Sequence, residues 1–394
     1  MFVPARRAFL TCLLLRGGQV LTTARDELCE KSGLGVLRPS CKDIPLVVVV
    51  PCRRYPNGTM AIRNQRGRQA VAVLCLDWCV YLLARVLICI IQALSLESCQ
   101  RLSELLASLF TYVIPLRRSV IEDNLQRAFP EGDARWRTKM RWAMWQHLCL
   151  MICEISLMHR KLHDTNWRQL IELHGGREMV LSMFDPRPSV FVTAHYGNFE
   201  LNGYLTGLFG FPSHTLAREL DNPFLHRFLI DFRESSGQYI LPTRRSADLA
   251  QRILESGGFL AALGDHHAGA KGCWVDFFGR PASCHKGVAV FALANKSPIN
   301  VVFSRRTGGP FRFEVRWLDN IDPSVDPSKA GVDELTQWYT EKIESFVRED
   351  PKQYWWLHRR WKDLRSPRQR QRHQQRIEQK RSKSTASLPP RRAA

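Results

Sequence analysis

The chain has 394 residues, 45% of them hydrophobic and 24% charged, with a formal net charge of +20. Such a length fits one large domain or two of ordinary size, and such a balance excludes a wholly disordered chain. The positive excess favours anionic partners, namely nucleic acid, an acidic membrane surface or a phosphorylated lipid, without choosing among them. Twelve cysteines are present but no C-x-x-C pair, so zinc ribbons and thioredoxin-like motifs have little support. Cys75 and Cys79, like Cys149 and Cys153, lie four apart. That is the spacing of one helix face, and it reads as buried thiols in a reducing compartment.

Residues 1–59 form a poorly defined N-terminal extension. Phe9 to Leu15 is a short apolar run after Arg6 and Arg7 that only loosely imitates a secretory signal. Met60 precedes the part that reads as organised protein and is a second candidate start. Within region 60–99, residues 70–94 read AVAVLCLDWCVYLLARVLICIIQAL, long enough for a membrane span of ~20 residues. Asp77 and Arg85 interrupt it eight apart, on one helical face. Arg63, Arg66 and Arg68 precede it, and basic flanks mark the cytoplasmic side. The pattern predicts an N-terminal membrane-anchoring helix, with a buried core helix as the alternative.

Residues 100–185 read as helices with a basic, aromatic face that includes Arg135 to Trp145. From 186 onward, short β-branched runs alternate with amphipathic helices. Strands are expected at VFVTA (190–194), GFLAALG (258–264), Ile299–Phe303 and Phe311–Trp317, and helices at Phe199–Phe209, Gly287–Ala294 and Glu334–Arg348. This alternation predicts an α/β fold, a central mixed sheet flanked by helices. The tail, 364–394, holds ten Lys or Arg against one acid, Glu378. It has no hydrophobic periodicity and reads as a basic disordered tail, suited to anionic lipid or simply solvated. No aromatics are interleaved, so no nucleic-acid partner is expected.

The segment that suggests chemistry is His195-Tyr196-Gly197-Asn198-Phe199-Glu200. His195 follows the strand 190–194, and ligands of α/β proteins bind at the carboxyl ends of strands. Gly197 permits a sharp turn, Asn198 suits the N-cap of the next helix, and Glu200 falls in that helix's first turn. A histidine outside the helix can fold back toward Glu200. Such a pair could take a proton from an attacking hydroxyl, the carboxylate fixing the tautomer. By spacing alone a capped turn around a core histidine explains the segment better than a catalytic pair does. No G-x-S-x-G nucleophile elbow is present.

Five blocks in order carry a resemblance: NLQRAFP (124–130), TAHYGNFELNG, LARELDNPFLHRFL, GDHH with FFGRPA (264–267 and 277–282), and QYWWLHRRWK (353–362). Together they resemble the bacterial lipid A late acyltransferases, within the H-x4-D/E acyltransferases, across about residues 70–363. The resemblance implies an acyltransferase domain over 100–363. His195 would be the general base and Glu200 its charge partner. Arg218 would bind the polar part of a substrate, and Asn198, Asp265 and Arg280 would lie near the site. It implies a fatty acyl thioester on acyl carrier protein or coenzyme A as co-substrate, with no other cofactor. The acceptor would be a hydroxyl of lipid A or a related glycolipid, with lysophospholipid or a mannosylated phosphoinositide as the alternative. The expected location is the cytoplasmic face of a bacterial inner membrane, with the anionic membrane surface as a further partner.

Two other patterns compete. His266, His267, Cys273, Cys284 and His285 crowd the Asp265 loop, but their spacing fits no standard zinc site. Gly264, Gly269, Ala270 and Lys271 imitate a phosphate-binding loop without its Gly-Lys-Ser/Thr ending.

Overall fold

The computed structural model describes residues 67–363, apart from 243–245 and 327–330, together with residue 371. The extension 1–59 and the tail 364–394, save that one residue, therefore lie outside the described residues, as do Met60, Arg63 and Arg66. Helix α1 (Gly67–Ala93) is the apolar segment. Its part Val71–Ala93 is long and apolar enough to cross a membrane, the one such helix among the described residues. It lies against the domain along one stripe. Asp77, Tyr81, Ala84, Ile88 and Ile91 recur every three or four residues and are half-buried. On that side Asn222 donates to the Asp77 carbonyl at 2.8 Å, and the Tyr81 and Phe224 rings meet at 6.1 Å. The Arg85 guanidinium lies 4.8 Å from the Phe228 ring. The other faces expose Val73, Leu76, Leu83 and Leu87.

Helix α2 (Leu96–Ser108) starts at Ser95, whose side chain accepts from the Ser98 N–H, and runs into a π-helical turn, Leu109–Val113. Helix α3 (Arg118–Ala128) and the long α4 (Ala134–Lys161) follow, α4 capped by the Asp133 side chain at the Trp136 N–H. Next come β1 (Ile171–His174) and α5 (Gly176–Met183). The alternating part comprises β2 (Ser189–Thr193), α6 (Phe199–Leu208), β3 (Ser213–Ala217), α7 (Pro223–Glu234), β4 (Gln238–Pro242), α8 (Ala247–Glu255) and β5 (Phe259–Leu263). The hairpin β6 (Cys273–Phe277) and β7 (Arg280–Cys284) is followed by α9 (Gly287–Ala294), β8 (Ile299–Arg306), β9 (Phe313–Ile321) and α10 (Val332–Glu349).

Seven strands form one sheet in the order β1-β9-β8-β2-β5-β3-β4. Every neighbouring pair is parallel except β8 and β9. This is the expected central mixed sheet flanked by helices. β2 sits at its centre, and Val190, Phe191 and Val192 are all buried, as a strand covered on both faces requires.

Several elements differ from the sequence expectation. The stretch 100–185 contains β1, and β3 and β4 are additional strands. These are four or five residues long and mix polar with apolar positions, too short for periodicity to declare them. The strand expected from Phe311 begins at Phe313, because Phe311 has φ of +57° and cannot continue a pleat. The FFG sequence forms a hairpin turn. Phe278 and Gly279 both have positive φ, at 55° and 68°, between the paired residues Phe277 and Arg280. That is the primed geometry a two-residue hairpin prefers. A phenylalanine occupies it because its ring is buried against Phe129, 5.3 Å away, with the Arg348 guanidinium 4.3 Å from its centroid.

A buried polar network ties α4 to the sheet. Glu154 accepts from Arg306 Nε at 2.8 Å and Nη2 at 2.5 Å, and from the Phe311 N–H at 3.2 Å. Both side chains of the ion pair are almost wholly buried. Removing one partner of such a pair strands the other charge in a low dielectric. Glu154→Ala is therefore expected to destabilise the fold by about 3–5 kcal/mol, read as a lowered midpoint in thermal or denaturant unfolding. A change below about 1 kcal/mol would show the pair to be dispensable.

Candidate active site

The site begins with the register of two parallel strands. Thr193 of β2 lies opposite Leu263 of β5. Two residues beyond each stand His195 and Asp265, at the carboxyl edge of the sheet. His195 Nδ1 is 2.8 Å from Asp265 Oδ1, and the His195 backbone N–H donates to Oδ2 at 3.1 Å. A carboxylate only accepts, so the proton of the neutral ring sits on Nδ1 and Nε2 carries the free lone pair. Nε2 has no hydrogen-bond partner among the described residues, and the side chain keeps 16% of its surface open. Phe199 and Trp355 approach the ring edge-on at 5.1 and 5.9 Å. The result is a histidine with one nitrogen fixed and the other presented in a largely apolar rim.

Burial by itself would raise the Asp265 carboxyl, but the charge and hydrogen bonds of His195, with His266 beside it, hold it well below the ordinary carboxylate range. His266 stacks on His195 with centroids 3.8 Å apart and planes 2° from parallel, and His358 stacks on His266 at 4.4 Å. Burial pushes His266 down to about 4, helped by the positive charge His195 can carry, and burial likewise pushes His358 down to about 4. The His267 N–H donates to His358 Nε2 at 3.0 Å, which fits a neutral ring.

The turn that carries His195 is held from three sides. Gly197 has φ of +57°, and a Cβ there would lie 1.6 Å from the Ser304 carbonyl oxygen of β8. No other residue fits without moving a central strand. On a second side the segment 353–355 lies alongside, with Gly197 N–H donating to the Gln353 carbonyl and Trp355 N–H to that of His195, at 3.0 and 2.9 Å. On the third, Arg306 donates to His147 Nδ1 at 2.7 Å, so the His147 proton sits on Nε2 and donates to the Gly197 carbonyl at 3.2 Å. Burial and Arg306 push the His147 pKa well below its ordinary value.

The expected site residues divide. His195 and Asp265 meet, but Asp265 takes the position assigned to Glu200. Glu200 lies in the first turn of α6 and pairs instead with Arg233 of α7, whose Nε is 3.0 Å from Oε2 and whose Nη2 contacts Oε1. The helix turns its carboxylate toward α7, while the strand register brings Asp265 to the ring. Asn198 precedes α6 but makes no side-chain cap. It is fully buried, its amide donating to Glu154 at 3.3 Å and its carbonyl accepting from Ser304 at 2.5 Å. It therefore supports the turn from inside the fold. Arg218 stands one residue past β3, on the same edge of the sheet, 80% exposed and paired with Asp221 at 3.4 Å. Arg280 donates to the Arg127 carbonyl at 3.2 Å, joining the hairpin to the end of α3 rather than reaching His195.

The crowded His/Cys loop is dispersed by the fold. Cys273 donates to Asp333 at 3.1 Å, and Cys284 accepts from Arg360 at 2.8 Å. Among the described residues no three His, Cys, Asp or Glu are grouped to hold a metal. Sequence reasoning missed Arg233, the imidazole stack and the His147–Glu154–Arg306 network. The alternation of His147 and Glu154 on one face of α4, seven apart, was the one available signal for the last.

A family model for bacterial lipid A biosynthesis acyltransferases matches residues 69–363. Two similar curated proteins are phosphatidylinositol mannoside acyltransferases. That of Mycolicibacterium smegmatis is 24% identical over 181 residues, 44% of this chain and 57% of its own length. That of Mycobacterium tuberculosis is 25% identical over 215 residues, 52% of this chain and 64% of its own length. The chain thus spans less than two thirds of either relative. A solved 1-acyl-sn-glycerophosphate acyltransferase from Thermotoga maritima aligns with 65% of this chain and 99% of its own, at 16% identity and a TM-score of 0.33.

The stacked histidines have a consequence for stability. Between pH 6.5 and 4 the unfolded chain binds protons on His266 and His358 that the folded chain does not. Stability is therefore full above pH 6.5 and is lost as the pH falls toward 4. His147, His159, His214, His267 and His285 are shifted the same way, whereas Asp265 acts only below its unfolded value near 3.8. The thermal midpoint should fall between pH 7.5 and pH 5, and His266→Gln/His358→Gln should shrink that fall without abolishing it. An unchanged pH slope in the double variant would contradict the neutral stack.

Proposed function

Since the chain belongs to the bacterial lipid A biosynthesis acyltransferase family, we propose that it transfers a fatty acyl group from a thioester donor to a lipid hydroxyl, with His195 as general base and Asp265 as its charge partner. The observation that carries this reading is His195 held through Nδ1 by a buried carboxylate, its Nε2 free at the edge of the sheet. In the reaction, Nε2 takes the proton of the acceptor hydroxyl as its oxygen attacks the thioester carbonyl. The C–S bond then breaks, and the departing thiolate recovers the proton from the imidazolium. Asp265 stabilises the imidazolium formed between these steps. A thioester is already activated, so no serine or cysteine nucleophile is needed. Glu200 and Arg233 position the first turn of α6, and with it Phe199 beside the ring.

The donor we propose is a fatty acyl thioester of acyl carrier protein or coenzyme A, and the acceptor is lipid A or a related glycolipid. The excess of basic residues suits an acidic carrier and a phosphorylated lipid. A second acceptor, a mannosylated phosphoinositide, is favoured by the names of the two relatives. Helix α1, apolar on the faces it does not pack, would embed in the bacterial inner membrane and hold the domain on its cytoplasmic face.

Transfer of labelled acyl chains in membranes carrying the protein, with mass spectrometry of the lipid formed, tests the reading. His195→Ala should lower the rate by about 10²–10⁴-fold. Asp265→Asn should lower kcat by about as much, and by more than Glu200→Gln does. Near-normal transfer by His195→Ala would end the mechanism. Loss of kcat in Glu200→Gln equal to that in Asp265→Asn, at unchanged stability, would remove Asp265 from its role.

A further inference from the structure

Beside the histidine stack lies an open cavity of about 660 Å³, lined by Arg117, Ser119, Val120, His267, His358 and Arg359, with Lys362 at its rim. A second lobe of about 340 Å³ continues it past Asn124 and Trp361. His358 is thus shared: one side belongs to the stack, and its ring also borders the cavity. Two stacking steps, of 3.8 and 4.4 Å between ring centres, separate it from His195.

The wall is cationic. Arg117 is anchored by donating to the Leu357 carbonyl at 3.1 Å. Arg359 and Lys362 are exposed and form no ion pair among the described residues. The one acid in the lining, Asp123 of the second lobe, is occupied by Arg127 at 2.8 Å. Both ring nitrogens of His267 are shielded from solvent and have no protein partner among the described residues. The chain entering α3 is apolar and uncovered. Tyr112, Val113, Ile114 and Leu116 are 43–71% exposed, directly before Arg117. Exposed apolar residues continuous with a cationic cavity match the two halves of a phospholipid, tails and headgroup.

We propose that this cavity binds the phosphate-bearing headgroup of a membrane lipid, with residues 112–116 embedded among its acyl chains. The proposal rests on the acyltransferase reading only in placing the lipid beside His195; the binding itself needs no chemistry. Phosphate oxygens meet Arg359 and Lys362, beside Arg117, and the lipid's polar portion is thereby held within reach of the stack.

The test is equilibrium binding of dihexanoyl phosphatidate to the detergent-solubilised full chain, by calorimetry. Wild type should bind it and ignore dihexanoyl glycerol. Arg359→Gln/Lys362→Gln should weaken binding by about tenfold or more, and Arg359→Lys/Lys362→Arg should largely restore it. His195→Ala should bind as wild type does. Unchanged affinity in the glutamine variant overturns the site. Equal binding of inorganic phosphate makes it a free-anion site, and displacement of phosphatidate by coenzyme A gives it to the donor; either result overturns the lipid assignment. Acyl transfer measured in parallel separates the two readings. Binding that follows Arg359 and Lys362 in a chain without transfer activity would sink the enzyme and leave the site. Transfer that follows His195 with no phosphatidate binding would do the reverse.

Discussion

The pairing of β2 with β5 is the constraint on which the site depends. Parallel strands in the register Thr193 opposite Leu263 bring the residues two further along each chain to neighbouring positions. Those residues are His195 and Asp265. Side chains alternate between faces with period two, so a slip of one residue in either strand would turn one partner away. The carboxylate then binds its neighbour twice, through the ring at 2.8 Å and the backbone N–H at 3.1 Å. The second bond fixes the strand end as well as the ring. A tautomer is thus set by the backbone of a central sheet, the most rigid part of the molecule, rather than by a loop.

Around that pair, stability and geometry are exchanged. Glu154 and Arg306 form an ion pair whose desolvation can cancel most of its attraction. The pair adds geometry. Arg306 presents a hydrogen bond to His147 that decides its tautomer, and His147 then grips the Gly197 carbonyl. Gln353 clasps the Arg306 backbone from the other side, accepting from its N–H and donating to its carbonyl at 2.9 and 2.8 Å. Through these bonds α4, β8 and the segment 353–355 all bear on the one turn at Gly197. The close contact of Gly197 with β8 follows from the same crowding.

This division explains what the sequence could reveal. VFVTA was legible as a buried strand, and His195 at its end was legible as a candidate base, because strand ends and turns are local features. The choice of carboxylate was not local. Glu200 is five residues from His195 and Asp265 is seventy, yet the near one lies on a helix that turns it toward Arg233. Only the sheet register brings the far one in. Asn198 has the right identity for a cap, but Glu154 of α4 holds its Nδ2, and the Oδ1 that would accept from the helix N–H groups has no partner among the described residues. Arg280 was placed near the site on the strength of the FFGRPA block, and that block also encodes a hairpin with a buried aromatic at positive φ. That α1 is long and apolar enough to cross a membrane was legible from its sequence. The stripe by which it packs was hinted at by Asp77 and Arg85, which fall on or beside it.

The imidazole stack shows how burial serves the chemistry. Were His266 protonated, a positive charge would lie about 3.8 Å from the imidazolium that the proposed base, His195, would become. At an effective dielectric of about 20 that repulsion amounts to about 4 kcal/mol, roughly the whole contribution expected of a general base. Burial removes the conflict by keeping His266 and His358 neutral near pH 7, where the proposed base would work. The same neutral rings remain polarisable flat surfaces against which an imidazolium can rest. Asp265, held ionised far below neutral pH, is then the full charge in contact with His195, and it has the sign the proposed reaction would require. Three adjacent histidines therefore amount to one accessible imidazole, His195, with one carboxylate against it, and the fold achieves this by where it excludes water.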